Sequence, residues 1–187
     1  MLYLIILFVG IVWLTGYYYR LKRRRKNNWD AITEAQQKGR QFECFVVERF
    51  SENYFDLKVW QGDKYYKGKY ADANHHPDLE LEYNCSETRY IPFAVECKWR
   101  RCFNENQSIR WASEEQIRHY NEYSDDRNIQ VFVVIGLGGD PSDPEEVYIV
   151  PLEKLKYPYV KREYLQRFRR KKTDGFFYFD ADSGSLY

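Results

Sequence analysis

The stretch from Ile91 to Trp99 reads Ile-Pro-Phe-Ala-Val-Glu-Cys-Lys-Trp. Its first half is an apolar run, which is typical of a buried strand. Because side chains alternate across a strand, Glu96 and Lys98 share one face, while Val95 and Cys97 share the other. A carboxylate and an ammonium group are costly to bury without partners. The stretch therefore predicts a core strand that ends in a charged site, although a surface ion pair on a fraying strand end has the same short pattern.

A second strand-like segment precedes this one, and the two together predict a hairpin. Leu79 to Tyr83 alternates leucine and glutamate, which is the period-two signal of a strand, and Asn84 to Arg89 is polar and turn-like. Antiparallel pairing then brings Asp78, at the start of one strand, near Glu96 at the end of the other. Two carboxylates and Lys98 converge at one edge of the sheet, and hard oxygen ligands of this kind suit Mg²⁺ or Mn²⁺.

Pro77-Asp78 followed by Glu96-Cys97-Lys98 resembles the PD-(D/E)XK nuclease family, which has the restriction-endonuclease-like fold. Two further features follow the pattern of that family. Glu43 lies on a predicted helix before the first core strand, and Gln116 and Tyr120 match the Q-x-x-x-Y signature of the RecB-like branches. The four features occur in the family's order, across roughly residues 33–155. The resemblance implies an α/β fold with an αβββαβ core, in which helices flank a mixed central sheet.

The same resemblance implies a role for each of these residues. Asp78 and Glu96 would hold Mg²⁺ or Mn²⁺ together with the backbone carbonyl of Cys97, and Lys98 would orient the attacking water. The remaining roles fall to Glu43, which would order a metal-bound water or complete a second metal site, and to Gln116 and Tyr120, which would position the substrate backbone or Lys98. The implied substrate is nucleic acid, with DNA favoured over RNA.

Two of these residues also have a purely structural interpretation. Ser113 followed by Glu114-Glu115-Gln116 is a capping box, in which the Gln116 side chain bonds the backbone of its own helix. Gln116 and Tyr120 lie four residues apart and share a helix face, so the sequence leaves both roles open for Gln116. Glu43 lies beside Phe42 at the edge of an apolar helical stripe, where a solvated glutamate is the alternative to a site residue.

The N-terminal residues predict a membrane anchor. Met1 to Tyr19 contains no charged residue, and about 20 apolar residues are enough to span a bilayer as a helix. Six of the seven residues from Arg20 to Lys26 are basic, so the positive-inside rule puts the N-terminus outside and the rest of the chain in the cytoplasm. A cleaved signal peptide would carry its positive charge before the apolar run and small residues after it, which is the opposite of this pattern. We therefore expect a transmembrane helix over 1–19, a basic linker over 20–32 and a nuclease-like domain over 33–187.

The charge balance of the cytoplasmic part is acidic. The chain of 187 residues has a net charge of +1, from 29 basic and 28 acidic residues. Without the six basic residues of 20–26, the remainder holds 23 basic and 28 acidic residues, a net charge of about −5. Non-specific duplex binders usually show a basic surface, so the average composition disfavours strong non-specific DNA affinity and leaves only local basic patches.

Other segments carry weaker signals. A polar loop over Gln61 to His76 interleaves Lys64, Lys67 and Lys69 with tyrosines, which fits either a solvated loop or a contact with nucleic acid. His75-His76 is interpreted as incidental more readily than as a metal ligand. The remaining predicted elements are strands over residues 54–60, 129–137 and 147–152, an amphipathic helix over 161–172 and an aromatic edge strand over 175–180.

Two alternatives to a nuclease stay open at the level of sequence. The fold could persist as a catalytically inactive, membrane-tethered domain that binds nucleic acid or acts as a scaffold, which the acidic charge favours and the complete motif disfavours. The Glu-x-Lys pattern could also be coincidental in an unrelated membrane-tethered adaptor. These alternatives differ in one respect, because only the nuclease fold predicts that Asp78, Glu96 and Lys98 lie close together.

Overall fold

The apolar stretch that ends in Glu96 and Lys98 forms the middle strand of a five-stranded sheet in a computed structural model of the chain. The structure describes residues 17, 20, 34–61, 65–66, 69–70, 76–86 and 89–187. The predicted transmembrane helix 1–19 and linker 20–32 lie outside these residues, apart from Tyr17 and Arg20. Among the residues described, no helix is both long and apolar enough to cross a membrane. By internal contacts the chain forms two units, residues 1–38 and 39–187, and the second unit contains the sheet.

The central sheet is mixed, and its strand order is β1-β4-β5-β7-β8. β4 pairs antiparallel with β1 and with β5, β5 pairs parallel with β7, and β7 pairs antiparallel with β8. The strands of this sheet are β1 (Phe55–Trp60), β4 (Leu79–Ser86), β5 (Arg89–Arg100), β7 (Gln130–Leu137) and β8 (Glu146–Pro151). The predicted α/β class and hairpin are confirmed, and the register Leu79↔Val95 puts the start of β4 beside the end of β5.

A helix covers each face of the sheet. Helix α1 covers residues 34–47, and its Phe42 and Phe45 pack with Phe93 and Phe132 in one core. Helix α2 (Glu114–Arg127) packs on the other face, where Tyr120 belongs to a second core. β4 and β5 are antiparallel neighbours, whereas the parallel step from β5 to β7 needs a crossover connection, and α2 provides it. The expected order of helix, three strands, helix and strand is therefore present.

Smaller elements surround this framework. The two-stranded pairs are β2 (Tyr65–Tyr66) with β3 (Lys69–Tyr70), β6 (Ser108–Arg110) with β9 (Tyr159–Lys161), and β10 (Phe179–Asp180) with β11 (Ser185–Leu186). Single helical turns occupy Leu152–Lys154, α3 (Arg162–Leu165) and Gln166–Phe168. Most of the predicted loop over Gln61 to His76, including Lys64, Lys67 and His75, lies outside the described residues.

The prediction of one amphipathic helix over 161–172 is wrong. Only single turns form, and the chain then leaves the helical path because Arg170 N donates to Val147 O at 2.9 Å, along the edge of β8. The Arg170 guanidinium also donates to the carbonyls of Lys172 and Gly175, at 3.1 Å each. These bonds to extended backbone replace the i→i+4 bonds that a continuous helix needs.

Two strand predictions also need correction. A register shift in β1 between Leu57 and Val59 interrupts the expected single apolar face, and Leu57 is 40% exposed at this edge of the sheet. The segment 175–180 forms only the two-residue β10, which pairs with β11 in a separate ladder and not with the central sheet. Side chains in this segment still alternate between buried and exposed, because Phe177 and Phe179 are buried while Phe176 and Tyr178 are exposed.

Candidate active site

Two buried carboxylates meet where β4 begins and β5 ends. Asp78 and Glu96 are only 4% and 1% exposed. The Asp78 Oδ2 atom accepts a hydrogen bond of 2.8 Å from the backbone N–H of Cys97. The β4–β5 register puts Asp78 opposite Glu96, as the hairpin predicted. Since both residues fall on the face covered by α2, the two carboxylates lie close together in the core, and we call this site the carboxylate pocket.

Lys98 completes the predicted trio. Its Nζ forms an ion pair with Glu96 Oε1, and its side chain is 16% exposed. The Tyr120 hydroxyl, on α2, lies near the Glu96 carboxylate. Burial and the neighbouring Glu96 charge raise the pKa of Tyr120, so its phenol stays protonated beside the carboxylate. Glu96 thus lies between its own strand and α2.

The sequence did not indicate the residues that hold Tyr120 in place. The ring of Trp111, which is fully buried, packs at 6.3 Å from the Tyr120 ring. Arg100, two residues beyond Lys98, donates from Nε to the Arg110 carbonyl at 2.7 Å and from a terminal nitrogen to the Trp111 carbonyl at 3.2 Å. Burial lowers the pKa of the Arg100 guanidinium. A buried tryptophan just before a helix carries no local pattern that would have identified this contact.

Glu43 lies on α1, on the opposite side of the sheet from Tyr120. Its Oε2 atom accepts a hydrogen bond of 2.9 Å from the indole N–H of Trp60, at the end of β1. Helix α1 approaches the sheet closely because β7 has a glycine there, and a Cβ on Gly136 would lie 2.3 Å from the Phe42 ring. The close contact of Phe42 brings the adjacent Glu43 to the end of the sheet where the carboxylates meet.

The capping box predicted at Gln116 is confirmed. The Ser113 hydroxyl accepts from Gln116 N at 3.1 Å, and the Gln116 side-chain oxygen accepts from Ser113 N at 3.0 Å. Both bonds of the capping box are therefore present, and the Gln116 side-chain oxygen is used by its own helix. Of the two residues in the predicted signature, only Tyr120 contacts the carboxylate pocket.

The Cys97 side chain points away from Glu96, toward the core under α1. Burial raises the pKa of the Cys97 thiol well above its ordinary range, and the Asp78 charge adds to this rise. The other charges that act on the thiol belong to Glu43, Glu96 and Lys98. Because the thiol stays protonated, a metal would be offered the backbone carbonyl of Cys97 and not its sulfur.

The oxygen atoms of this pocket suit a hard divalent cation. Asp78 and Glu96 present carboxylates close to the Cys97 backbone, and oxygen donors of this type bind Mg²⁺ and Mn²⁺. In the part of the chain that the structure describes, His, Cys, Asp and Glu side chains form no group of three or more that could hold a metal.

His76, the second histidine of the predicted incidental pair, packs at the edge of α2. Its ring meets the Tyr123 ring edge-on at 5.2 Å. The Arg127 guanidinium lies 5.2 Å from the centre of the same Tyr123 ring and forms an ion pair with Glu80 at 3.1 Å. This cluster ties the start of β4 to α2, which is a structural role.

Comparison with known proteins shows a likeness to solved structures. No protein-family model matches the chain, and no curated protein matches it. Among solved structures, the chain is similar to Hjc, a Holliday junction resolvase from the archaeal hyperthermophile Archaeoglobus fulgidus. The identity is 13%, the alignment covers 70% of this chain and 88% of the resolvase, and the TM-score is 0.48. We therefore base the function on the geometry of the site alone.

Proposed function

We propose that this protein is a metal-dependent nuclease that hydrolyses phosphodiester bonds, with DNA as its substrate. The observation that carries the proposal is the convergence of Asp78, Glu96 and Lys98 at the ends of two paired strands. Buried carboxylates beside a lysine are expensive to maintain, which favours a functional site over an incidental ion pair. The proposal includes membrane attachment through residues 1–19, with the basic residues 20–26 at the cytoplasmic surface.

The metal would be held by Asp78, Glu96 and the Cys97 carbonyl. When bound, Mg²⁺ or Mn²⁺ activates water and neutralises charge on the phosphate. Lys98 orients the attacking water and offsets negative charge as the new oxygen–phosphorus bond forms, because its ammonium is a compact cation with movable donors. Tyr120 holds Glu96 in place, and Glu43 orders a water on the α1 side.

The test uses the full-length protein with linear, circular and single-stranded DNA, in the presence of Mg²⁺, Mn²⁺ or EDTA. Asp78→Asn and Lys98→Ala should each lower the cleavage rate by about 10²-fold or more. Asp56→Asn and Lys58→Ala on β1 are matched controls, because that pair of side chains is exposed and lies away from the pocket. We expect both controls to cleave like the unmodified protein.

Each outcome of this experiment is informative. Metal-dependent cleavage that is lost in the two site variants and kept in the controls supports the nuclease. Cleavage of circular DNA would indicate internal cuts, whereas cleavage of linear DNA alone would indicate digestion from the ends. Folded protein that cuts none of the substrates would reject the nuclease in favour of an inactive domain that binds nucleic acid or acts as a scaffold.

A further inference from the structure

Positive charge is concentrated in one segment of an otherwise acidic domain. Residues 154–172 contain nine basic residues and one acidic residue, Glu163. The rest of the chain after residue 26 contains 14 basic and 27 acidic residues. An acidic domain that binds a polyanion needs a local basic surface, and this segment is the place where the chain provides one.

Exposed tyrosines alternate with the lysines of this segment. A groove of about 500 Å³ is lined by residues that include Lys154, Lys156, Tyr157, Tyr159 and Lys161, which we call the tyrosine–lysine strip. Glu153 also lines this groove and forms an ion pair of 2.8 Å with Lys154. Tyr157 is 74% exposed and Tyr159 is 58% exposed. Large aromatic side chains that are this exposed, beside lysines and in a groove, have the composition of a surface that binds single-stranded nucleic acid.

The backbone beneath the strip is fixed. Leu155 and Val160 are buried in the core under α2. The Trp111 indole N–H donates to the Tyr157 carbonyl at 2.7 Å, and Trp111 N donates to the Pro158 carbonyl at 3.0 Å. The tyrosine rings therefore project from a rigid support and not from a loose loop, which lowers the entropy that a bound base would cost.

The strip is connected to the end of the strand that carries Lys98. Tyr159 pairs with Arg110 across the β6–β9 ladder, and Arg100 donates to the Arg110 carbonyl at 2.7 Å. Paired residues in such a ladder have Cα atoms about 5 Å apart. A nucleic acid strand lying on the strip would thus lead toward the carboxylate pocket.

A second connection reaches the same end of the sheet. Glu146 bonds Arg169 at 3.2 Å and Arg162 at 3.7 Å, just beyond the strip. The register Arg100↔Leu137↔Glu146 puts Glu146 two strands from the end of β5, roughly 10 Å away on the same face. Arg162 and Arg169 of the basic segment therefore share both the face and the end of the sheet with Glu96 and Lys98.

We propose that the tyrosine–lysine strip binds unpaired nucleotides of a nucleic acid substrate, with bases stacked on Tyr157 and Tyr159 and phosphates held by the lysines. The bases of an intact duplex are stacked on each other and offer no free face to a tyrosine. The strip therefore favours single-stranded DNA, or the single-stranded part of a branched or tailed molecule. This inference rests on the proposed function for the cut that follows, while the binding itself is independent of catalysis.

The test measures binding of labelled single-stranded and duplex DNA to the full-length protein in EDTA, where no cleavage occurs. The double variant Tyr157→Ala/Tyr159→Ala should bind single strands about tenfold or more weakly, because it removes both rings on which bases would stack. Its duplex binding should change by less than about twofold. The double variant Tyr157→Phe/Tyr159→Phe keeps both rings and should retain single-strand affinity.

Tyr54→Ala is the matched control, because Tyr54 is also 58% exposed and lies before β1, at the other edge of the sheet. It should bind both DNAs like the unmodified protein. Unchanged single-strand binding in the alanine double variant would overturn the inference, and so would an equal loss on single strands and duplex. Near-ultraviolet circular dichroism checks that each variant has kept its tertiary packing.

The same variants separate this inference from the nuclease proposal. Tyrosine-dependent binding without cleavage under any metal condition would reject the nuclease and leave the strip established. Cleavage that needs Asp78 but shows no tyrosine dependence, on single-stranded or duplex DNA, would reject the strip and leave the nuclease established.

Discussion

Glu96 and Lys98 form a pair in which neither residue is easily replaced alone. The carboxylate is buried, and its ion pair with Lys98 offsets part of the cost of removing it from water. The two side chains meet because residues two apart on a strand share a face. The short pattern Glu-x-Lys is therefore a structural unit as well as a candidate catalytic one.

We expect Lys98→Ala to lower the free energy of unfolding by about 3 kcal/mol, because it leaves the Glu96 carboxylate buried without its cation. In a chain of this size that corresponds to a fall in Tm of roughly 6–12 °C. The double variant Glu96→Gln/Lys98→Ala removes both charges and should regain most of this loss. Thermal unfolding followed by circular dichroism measures both.

Activity separates the structural from the catalytic role of this pair. The double variant should be as inactive as Lys98→Ala although it is more stable. Recovery of cleavage together with stability would contradict a catalytic role for Lys98, since the loss in the single variant would then be a loss of fold.

At the level of elements, α2 performs two functions at different turns. Its first turn is closed by the Ser113–Gln116 capping box, and its second turn directs Tyr120 at Glu96. The two residues of the predicted signature share a helix face, yet only Tyr120 contacts the pocket. Spacing along a helix identifies residues on a common face, but the direction of each side chain depends on the groups that it contacts.

Gln116→Ala should therefore affect mainly stability, and Tyr120→Phe mainly the cleavage rate. Gln116→Ala removes one capping bond and should cost about 1 kcal/mol, or roughly 2–4 °C in Tm, with a cleavage rate within about twofold of normal. Tyr120→Phe keeps the ring but removes the hydroxyl that lies beside Glu96, and should lower cleavage by about tenfold or more. Ser113→Ala is the control for the cap and should resemble Gln116→Ala.

A different pattern would contradict this division of α2. If Gln116→Ala lowered the cleavage rate as strongly as Tyr120→Phe while its Tm stayed normal, Gln116 would act on the substrate and not only on its helix. Paired measurements of Tm and of single-turnover cleavage on the same preparations decide between the two.

On the scale of the whole molecule, the apolar N-terminal residues are proposed to bring the domain to a membrane. We expect the full-length protein to stay in the membrane fraction after a wash with alkaline carbonate, because about 20 apolar residues suffice for a spanning helix. A chain that begins at Asn27 should be found in the soluble fraction. Cell fractionation followed by immunoblotting measures both.

The basic residues 20–26 allow a control for this prediction. Replacing them with glutamine removes the attraction to anionic lipid but leaves the apolar residues 1–19 intact, so the variant should still resist carbonate. Release of the unmodified protein by carbonate would contradict a spanning anchor.

The site was predictable where it depends on short-range regularities. The alternation in Leu79 to Tyr83 and in Ile91 to Trp99 defined two strands, and their pairing brought Asp78 to Glu96 and Lys98. The capping box at Ser113 was also visible, because it depends on residues three apart. Strand period and helix-end chemistry are local, so the sequence alone determines them.

Contacts between distant segments were decided only by the tertiary structure. Trp111 packs on Tyr120, Trp60 bonds Glu43, and Gly136 makes room for Phe42, and in none of these pairs do neighbours in sequence indicate the partner. The predicted helix over 161–172 failed for the same reason, because Arg170 finds hydrogen-bond partners on β8 and in the C-terminal segment that outweigh local helix preference. The sequence by itself thus determined the strands and the charged residues of the pocket. The packing of distant aromatic and arginine side chains decided which residues surround that pocket and where the tyrosine–lysine strip lies.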